Sequence, residues 1–114
     1  MSAKLVEFTV VSVPFPFTDR AKAKRRPALV LSSASEFNHV IGHSVMAMIT
    51  SAVENPWPYD TAIVDFKSAG LSVACVLRFK LFLIDNRLVI RKAGKLGKAD
   101  RESVRLAMSA VLGE

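Results

Sequence analysis

The sequence predicts a mostly β fold with one C-terminal helix, arranged as a strongly bent sheet or a small barrel. Several short segments rich in β-branched and aromatic residues lie between turn signals, which is typical of strands. The last stretch changes to a helical period, and its apolar residues share one face: Val104, Ala107, Met108, Val111 and Leu112. The chain has 114 residues, of which 51% are hydrophobic, so we expect one core and one domain spanning residues 1–114.

The first strand is predicted at Leu5–Val13, because Pro14 and Pro16 follow it and cannot donate hydrogen bonds to a central ladder. Between the later strands, Ala34–Gly42 is predicted to be a turn or a short helix. Asn55–Tyr59 is predicted to be a stiff loop because it contains two prolines. The other predicted strands are Pro27–Ser33, Ser44–Ser51, Thr61–Phe66, Cys75–Ile84 and Leu88–Arg91.

The C-terminal helix carries the expected end signals. Asp100 and Glu102 lie in its first turns, where negative charge suits the positive end of the helix dipole. Gly97 occupies the expected N-cap position, and Gly113 is a plausible stop signal.

The charge balance favours a polyanionic partner. Sixteen Lys and Arg residues against ten Asp and Glu give a net charge of +6 and an isoelectric point near 9.9. Such an excess attracts polyanions, although a basic surface that only keeps the protein soluble explains the same number. No apolar run approaches the roughly 18 residues of a membrane span, and because the N-terminus has no continuous apolar region we expect no secretory signal. We therefore expect a cytoplasmic protein that does not enter a membrane.

Several sequence blocks occur in an order that bears on function. Val13–Asp19 runs into a basic loop, which leads into Lys24–Ser32, and Ile49–Ser51 follows. The later blocks are Ala69–Leu71, Val76–Leu81 and Asp85–Leu88. From about Val10 to the terminal helix, their order and spacing resemble the PemK-like branch of the MazF/PemK family, the toxins of type II toxin–antitoxin pairs. The resemblance implies a small SH3-like barrel of the MazF/PemK/CcdB type, usually a homodimer.

The resemblance also implies a reaction and its residues. It implies metal-independent cleavage of single-stranded mRNA, in which the 2′-hydroxyl attacks the adjacent phosphorus and a 5′-hydroxyl leaves, with no cofactor. The implied catalytic residues are Arg26, directly before Pro27, and Thr50 of the Ile-Thr block. The implied partners are single-stranded RNA and an acidic, partly disordered antitoxin that wraps the basic groove and blocks Arg26.

The chemistry of Arg26 and Thr50 suits part of this reaction. RNA transesterification builds negative charge on the phosphate oxygens, and a guanidinium is always protonated and offers forked donors. A threonine hydroxyl adds one hydrogen bond to the same phosphate. Neither residue is a convincing general base with a pKa near 7. The alternative readings are that Arg26 pairs with a carboxylate such as Asp19, and that Thr50 reflects strand propensity alone.

Further residues are candidates for substrate binding. Arg78 and Lys80 are two apart on a predicted strand and so share one face, while Leu77, Phe79 and Leu81 are expected in the core. Trp57 is a candidate for stacking on unpaired bases, although a loop plug or dimer contact explains it equally well. The basic loop supplies the remaining candidates, which are Asp19, Lys22, Lys24 and Arg25.

The histidines and the cysteine do not predict a metal site. His39 and His43 are four apart, but Gly42 lies between them and no nearby acidic residue or cysteine completes a ligand set. We interpret them as polar residues of a surface turn. The single cysteine, Cys75, cannot form an intramolecular disulfide and is predicted to be a buried small hydrophobe.

The sequence departs from the family pattern at a few positions. Phe8-Thr9 stands where the family usually has Gly-Asp, Cys75 where serine is common, Leu83 where threonine is common, and Gly97 where a serine N-cap is common.

Two rival functions stay open. One is a gyrase poison on the same barrel fold; those proteins use a tryptophan near the C-terminus, whereas the only tryptophan here is Trp57. The other is a nucleic-acid-binding module that has lost catalysis.

Overall fold

The computed structural model describes residues 5–15, 24–51 and 54–114. Among these, the strands are β1 (Thr9–Phe15), β2 (Lys24–Val30), β3 (His43–Thr50), β4 (Thr61–Ile63), β5 (Cys75–Asp85) and β6 (Arg91–Lys95). A π-helical turn, Ala34–Asn38, leads into the short helix α1 (His39–Ile41), and a 3₁₀ turn, Asn86–Leu88, follows β5. The helix α2 (Lys98–Val111) is the last element. The predicted mostly β fold with a C-terminal helix is confirmed.

The strands form one antiparallel sheet in the order β4-β5-β3-β2-β1-β6, curled into a half-barrel. The register shifts at two places, between Val10 and Val11 in β1 and between Ala47 and Met48 in β3. Extra residues in one strand of a pair bend that strand and increase its twist. These irregularities therefore contribute to the curl of the sheet.

Each face of the curled sheet buries an apolar cluster. On one face Val10, Leu29, Ile49 and Leu77 pack with Val104 of α2. The other face buries a second set, which consists of Leu5, Val11, Val13, Ala28, Val30, Met46 and Ile84. Because successive residues of a strand point to opposite faces, strands buried on both sides have nearly continuous apolar sequences. Ala28, Leu29 and Val30 of β2, all fully buried, follow this rule.

The helix α2 is fastened to the sheet by a carboxylate. Its N-cap residue, Gly97, makes no side-chain hydrogen bond. Asp100, three residues later and only 3% exposed, instead accepts hydrogen bonds from the backbone N–H groups of Val64 (3.0 Å) and Asp65 (2.9 Å). Asp100 therefore links the first turn of α2 to the chain that leaves β4.

Within the part of the chain that the structure describes, no helix is long and apolar enough to cross a membrane.

A buried polar network joins the π-helical turn to the sheet. The Asn38 side chain donates to the carbonyl of Leu5 (2.7 Å) and to that of Ser32 (3.0 Å). Asn86 donates to the Asn38 carbonyl (2.9 Å) and accepts from the Ser44 hydroxyl (2.6 Å). Buried polar groups are costly unless paired, so this network fixes the turns at the end of β3 opposite to Thr50.

The prediction that β1 ends before Pro14 is wrong, since Pro14 lies in the strand opposite Arg25 of β2. β6 pairs only with residues Thr9 to Ser12 of β1, so Pro14 lies where one side of the strand has no described neighbour. A missing N–H is tolerated at such an edge.

The prediction of the last strand is also wrong, because Leu88 belongs to the 3₁₀ turn and β6 begins only at Arg91. Asp85 caps the 3₁₀ turn by accepting from the Arg87 N–H at 2.9 Å, which delays the return of the chain to the sheet. Leu81, expected in the core, is 41% exposed. β4 pairs only with Cys75–Leu77, so the later half of β5 forms an edge of the described sheet.

Candidate active site

An open groove of about 520 Å³ lies against the sheet. β2 and β3 form its floor, β5 forms one side, and the chain from Leu71 to Cys75 forms part of the wall. Four of the candidates from the sequence line this groove, namely Arg26, Thr50, Arg78 and Lys80.

Arg26 and Thr50 are brought together by the register of β2 and β3. The two strands pair antiparallel with Ala28 opposite Met48, and Arg26 and Thr50 are each two residues beyond that pair. Since residues two apart share a face, both side chains belong to the groove face. Arg26 is exposed and Thr50 is partly buried. An exposed guanidinium beside a partly buried hydroxyl can contact the same anionic group.

Arg78 is held inside the groove by a carboxylate that the sequence analysis did not single out. Its Nη2 lies 2.8 Å from Asp60 Oδ2, and its Nε donates to Asp60 Oδ1 at 3.2 Å. The two side chains are only 14% and 12% exposed. The hydrogen bonds from Arg78 hold the pKa of Asp60 below its usual value, and Asp60 in turn raises the pKa of Arg78. Both groups are therefore charged at neutral pH.

The pairing of Asp60 with Arg78 can be recognised in the sequence only once the neighbouring strands are known. β4 begins at Thr61, which pairs with Leu77 of β5, so the residues before and after that pair are Asp60 and Arg78. An acidic residue directly before one strand and a basic residue in the next are a signal of cross-strand pairing. The signal requires knowing that these two strands are neighbours, and the sequence alone does not give that register.

Trp57 lies over Arg78, with the guanidinium carbon 5.3 Å from the ring centroid. The backbone N–H of Trp57 donates to Asp60 Oδ2 at 3.0 Å, so the same carboxylate holds both residues. The indole is 43% exposed. It therefore covers the arginine on one side and presents apolar surface to solvent on the other.

Lys80 projects into the groove from an irregular part of β5. Ala47 is opposite Leu81 and Met48 is opposite Arg78, so Phe79 and Lys80 have no partner in the ladder. The Lys80 ammonium lies 5.2 Å from the centroid of the Phe15 ring. Phe79 packs against the core, as expected.

The other candidates are less central. Lys24 and Arg25 are exposed at the start of β2 but do not line the groove. Asp19 and Lys22 lie outside the described residues, and with them any contact between Asp19 and Arg26. Cys75 is buried at 9% exposure, as predicted, and it also forms part of the groove wall. Desolvation raises the pKa of its thiol, which keeps it protonated.

The histidines lie away from the groove. His39 is in α1, and His43 begins β3, at the end opposite to Thr50. The His43 Nδ1 is 3.2 Å from the carbonyl of Ile41. In the described segments, no three His, Cys, Asp or Glu residues are grouped so that they could hold a metal ion.

The comparison with protein families identifies the class of protein. Residues 7–112 match the model of the PemK-like, MazF-like toxins of type II toxin–antitoxin systems. The chain therefore belongs to this family. No curated protein sequence matches it.

Solved structures with the same fold belong to MazF toxins and endoribonucleases. A MazF crystal structure from Deinococcus radiodurans is 24% identical, with a TM-score of 0.74 over 100% of this chain and 99% of the other. A MazE–MazF structure from the same organism is 26% identical, with a TM-score of 0.77 over 97% and 98%. A mycobacterial endoribonuclease in complex with its cognate antitoxin is 15% identical, with a TM-score of 0.74 over 96% and 94%.

Proposed function

We propose that this toxin is a metal-independent endoribonuclease that cleaves single-stranded mRNA through 2′-hydroxyl attack, with Arg26 and Thr50 in its active site. The observation that carries the proposal is that one groove contains both residues, on adjacent strands and on the same face. Family membership supports ribonuclease activity, because structural relatives of this chain are endoribonucleases. The toxin domain is proposed to span residues 1–114.

Arg26 is proposed to stabilise the charge that develops on the phosphate. The 2′-oxygen forms a bond to phosphorus and loses its proton, while the bond from phosphorus to the 5′-oxygen breaks and that oxygen gains a proton. The pentacoordinate phosphorus carries more negative charge on its non-bridging oxygens than the ground state does. A guanidinium whose forked donors point at those oxygens stabilises the transition state more than water does, by on the order of several kcal/mol.

Thr50 is proposed to orient the same phosphate. Its hydroxyl can donate one hydrogen bond to a non-bridging oxygen. Because Thr50 is partly buried in a β-strand, its position is defined by the sheet rather than by a mobile loop. A small loss of orientation is costly in such reactions, so a modest side chain can matter.

The surroundings of the groove favour a flexible polyanion. Lys80 lines the groove, and Lys24 and Arg25 are exposed at the start of β2. Basic side chains such as these attract the phosphate backbone without reading its sequence. The groove lies on an open sheet face, which suits a single strand that can adapt its backbone.

The partners are proposed from the family. We infer an acidic, partly disordered antitoxin that covers the groove and blocks Arg26, and a homodimer as the working form in the cytoplasm. Structures of MazE with MazF, and of an endoribonuclease with its antitoxin, are among the relatives by fold. The net charge of +6 is complementary to an acidic partner.

The test is a denaturing gel of a long single-stranded RNA incubated in EDTA with wild type, Arg26→Ala or Thr50→Val. We expect discrete fragments from wild type and at least a hundredfold slower cleavage by Arg26→Ala, on the scale of losing one charge-stabilising donor. The matched control is Arg91→Ala. Arg91 is exposed and does not line the groove, and it lies on β6, the edge strand of the sheet opposite to β4.

Three outcomes would count against the proposal. Intact RNA with folded wild type, together with tight RNA binding, would indicate a non-catalytic nucleic-acid-binding protein. Intact RNA without binding would direct the next experiment to gyrase, through supercoiling of plasmid DNA in the presence of the toxin. Equal cleavage by wild type and Arg26→Ala would remove Arg26 from the active site.

A further inference from the structure

We propose that Asp60, Arg78 and Trp57 form a base-reading subsite, in which Asp60 positions Arg78 to recognise a base with two adjacent hydrogen-bond acceptors, guanine or cytosine. The inference rests on the proposed function and deepens it, because it assigns a specificity role to Arg78, which lines the same groove. Asp60 is a positioning residue in this subsite, since it acts through Arg78.

Arg78 is fixed in one orientation. The Asp60 carboxylate accepts from Nε and Nη2 of Arg78, and its Oδ2 also accepts from the Trp57 backbone at 3.0 Å. A hydrogen bond from the Asp60 N–H to the Trp57 carbonyl (3.2 Å) closes the turn. Rotation of Arg78 would therefore break two hydrogen bonds. The Asp60 carboxylate, which is only 12% exposed, would lose its guanidinium partner.

The pairing leaves a defined set of donors for a ligand. A guanidinium has five N–H donors, one on Nε and two on each terminal nitrogen. Asp60 uses the Nε donor and one Nη2 donor, so both Nη1 donors and one Nη2 donor stay available. The available donors on Nη1 and Nη2 are parallel, and two parallel donors match two adjacent acceptors.

The charge of the pair favours a base over a phosphate. Asp60 lies 2.8 Å from Arg78 and offsets most of its positive charge. Among the described residues, neither Arg26 nor Lys80 forms an ion pair with a carboxylate, so these two keep their full attraction for phosphate. A paired arginine retains its directional donors while losing much of that attraction, which suits recognition of a neutral ring.

The chemistry of the bases then limits the choice. Guanine presents O6 and N7 side by side, and arginine contacts to this pair are the commonest specific contacts to DNA bases. Cytosine presents O2 and N3 side by side on its Watson–Crick edge, which is free in a single strand. Neither adenine nor uracil presents two adjacent acceptors on its Watson–Crick or Hoogsteen edge, so neither matches two parallel N–H groups there.

Trp57 supplies a stacking surface next to the same donors. Its indole lies against the Arg78 guanidinium at 5.3 Å and is 43% exposed. The residues beside it, Pro56 and Pro58, restrict the loop backbone. Base stacking on an aromatic ring tolerates any base, so Trp57 contributes affinity while Arg78 contributes the choice of base.

The test compares base preferences on a randomised single-stranded RNA pool, read by sequencing the cleaved ends. We expect wild type to enrich guanine or cytosine at one position, and Asp60→Asn and Arg78→Gln to lose that enrichment by about tenfold while preferences elsewhere stay the same. The control is Asp85→Asn, because Asp85 also pairs with an arginine, Arg87, at 2.8 Å, but outside the groove.

A modified base distinguishes guanine from cytosine as the base that Arg78 recognises. Replacing guanosine by 7-deazaguanosine removes one acceptor, so it should slow wild type by about tenfold and leave Asp60→Asn unaffected if guanine is read. If cytosine is read, the modified guanosine has no effect and the enriched base in the pool is cytosine. Trp57→Phe keeps an aromatic surface and should preserve the preference, whereas Trp57→Ala should weaken binding of every base at that position.

The inference does not depend on cleavage. The same pool can be selected for binding to Arg26→Ala, which keeps the Asp60–Arg78 pair, so base preference is measured even if the chain cuts no RNA. A wild type that cleaves, with Asp60→Asn giving an unchanged base profile, would overturn the subsite and leave the proposed function intact. If Arg78→Gln instead weakened RNA binding equally for all sequences and made binding less dependent on salt, Arg78 would be assigned to phosphate contact.

Discussion

The guanidinium of Arg105 lies 4.9 Å from the centroid of the Phe8 ring, so a helix side chain covers the residue directly before β1. Phe8 has a φ of +66°, a left-handed conformation that favours glycine, yet its ring is only 3% exposed. Its backbone N–H donates to the carbonyl of Val30 (2.7 Å) and its carbonyl accepts from Leu96 (3.0 Å). Phe8 thus combines backbone strain with a buried ring.

We therefore expect Phe8→Gly to destabilise the protein even though it relieves strain. Losing a buried phenyl ring costs about 3–5 kcal/mol, whereas the left-handed backbone costs about 1–2 kcal/mol. The net loss in free energy of unfolding should be about 2 kcal/mol, measured by urea denaturation. Arg105→Ala, which removes only the covering cation, should cost about 0.5–1 kcal/mol. Equal or greater stability of Phe8→Gly would show that strain outweighs burial.

Asp100→Ala should destabilise the attachment of α2. The substitution leaves the N–H groups of Val64 and Asp65 without their acceptor in a buried place, and hydrogen bonds to charged groups contribute roughly 1.5–3 kcal/mol each. We expect a loss of about 3 kcal/mol in free energy of unfolding. Glu102→Ala, an exposed carboxylate on the same helix, should change stability by less than about 0.5 kcal/mol. Similar effects of the two variants would contradict the anchoring role.

Local patterns predicted the elements well where periodicity was strong. The apolar face of the last helix and the strand-forming residues of Ser44–Ser51 were enough to place α2 and β3 to within a few residues. Pro14 misled the prediction, because a proline is compatible with a strand wherever one side has no neighbour. The last strand was also misplaced, because the 3₁₀ turn that Asp85 caps delays the return of the chain to the sheet until Arg91.

The candidate site was predicted only in part, for a related reason. Arg26 and Thr50 came from a family resemblance, and their proximity follows from a register that local sequence does not specify. Asp60 was missed because its role depends on the pairing of β4 with β5, a contact between strands with a long connection. The same applies to Asn38, whose buried hydrogen bonds join segments 33 residues apart. The role of a polar residue depends on its neighbours in the tertiary structure, whereas the period of apolar residues can be recognised in the local sequence.

The carboxyl of Asp85 should titrate at unusually low pH. Hydrogen bonds from the Arg87 side chain and backbone lower its pKa from 3.8 to about 2. Because the folded pKa is below the unfolded value, the pair contributes stability above about pH 4, and this contribution is lost as the pH falls towards 2. Carboxyl-detected NMR should show a midpoint near 2 in wild type and an upward shift in Arg87→Ala. A wild-type midpoint near 3.8 would mean that this exposed pair is not formed in solution.

Gly94→Ala should disturb the fold and, through it, the groove. A Cβ at this position would lie 2.4 Å from the Ser68 carbonyl oxygen and 2.6 Å from the Ala69 carbonyl carbon, both backbone atoms that cannot yield easily. The turn containing them leads directly into Leu71, at the start of the groove wall. We expect a loss of about 3 kcal/mol in free energy of unfolding, at the upper end of overpacking effects, and reduced RNA cleavage.

The matched comparison for this variant is Gly42→Ala. Gly42 has a φ of +72° and open space around its missing Cβ, so only backbone strain of about 1–2 kcal/mol applies. Gly42 also lies at the far end of β3 from Thr50, so RNA cleavage at a temperature where the variant is folded should equal that of wild type. If Gly94→Ala is no less stable than Gly42→Ala, the close approach of the turn to β6 does not constrain position 94. If both retain cleavage, the turn does not hold the groove wall in place.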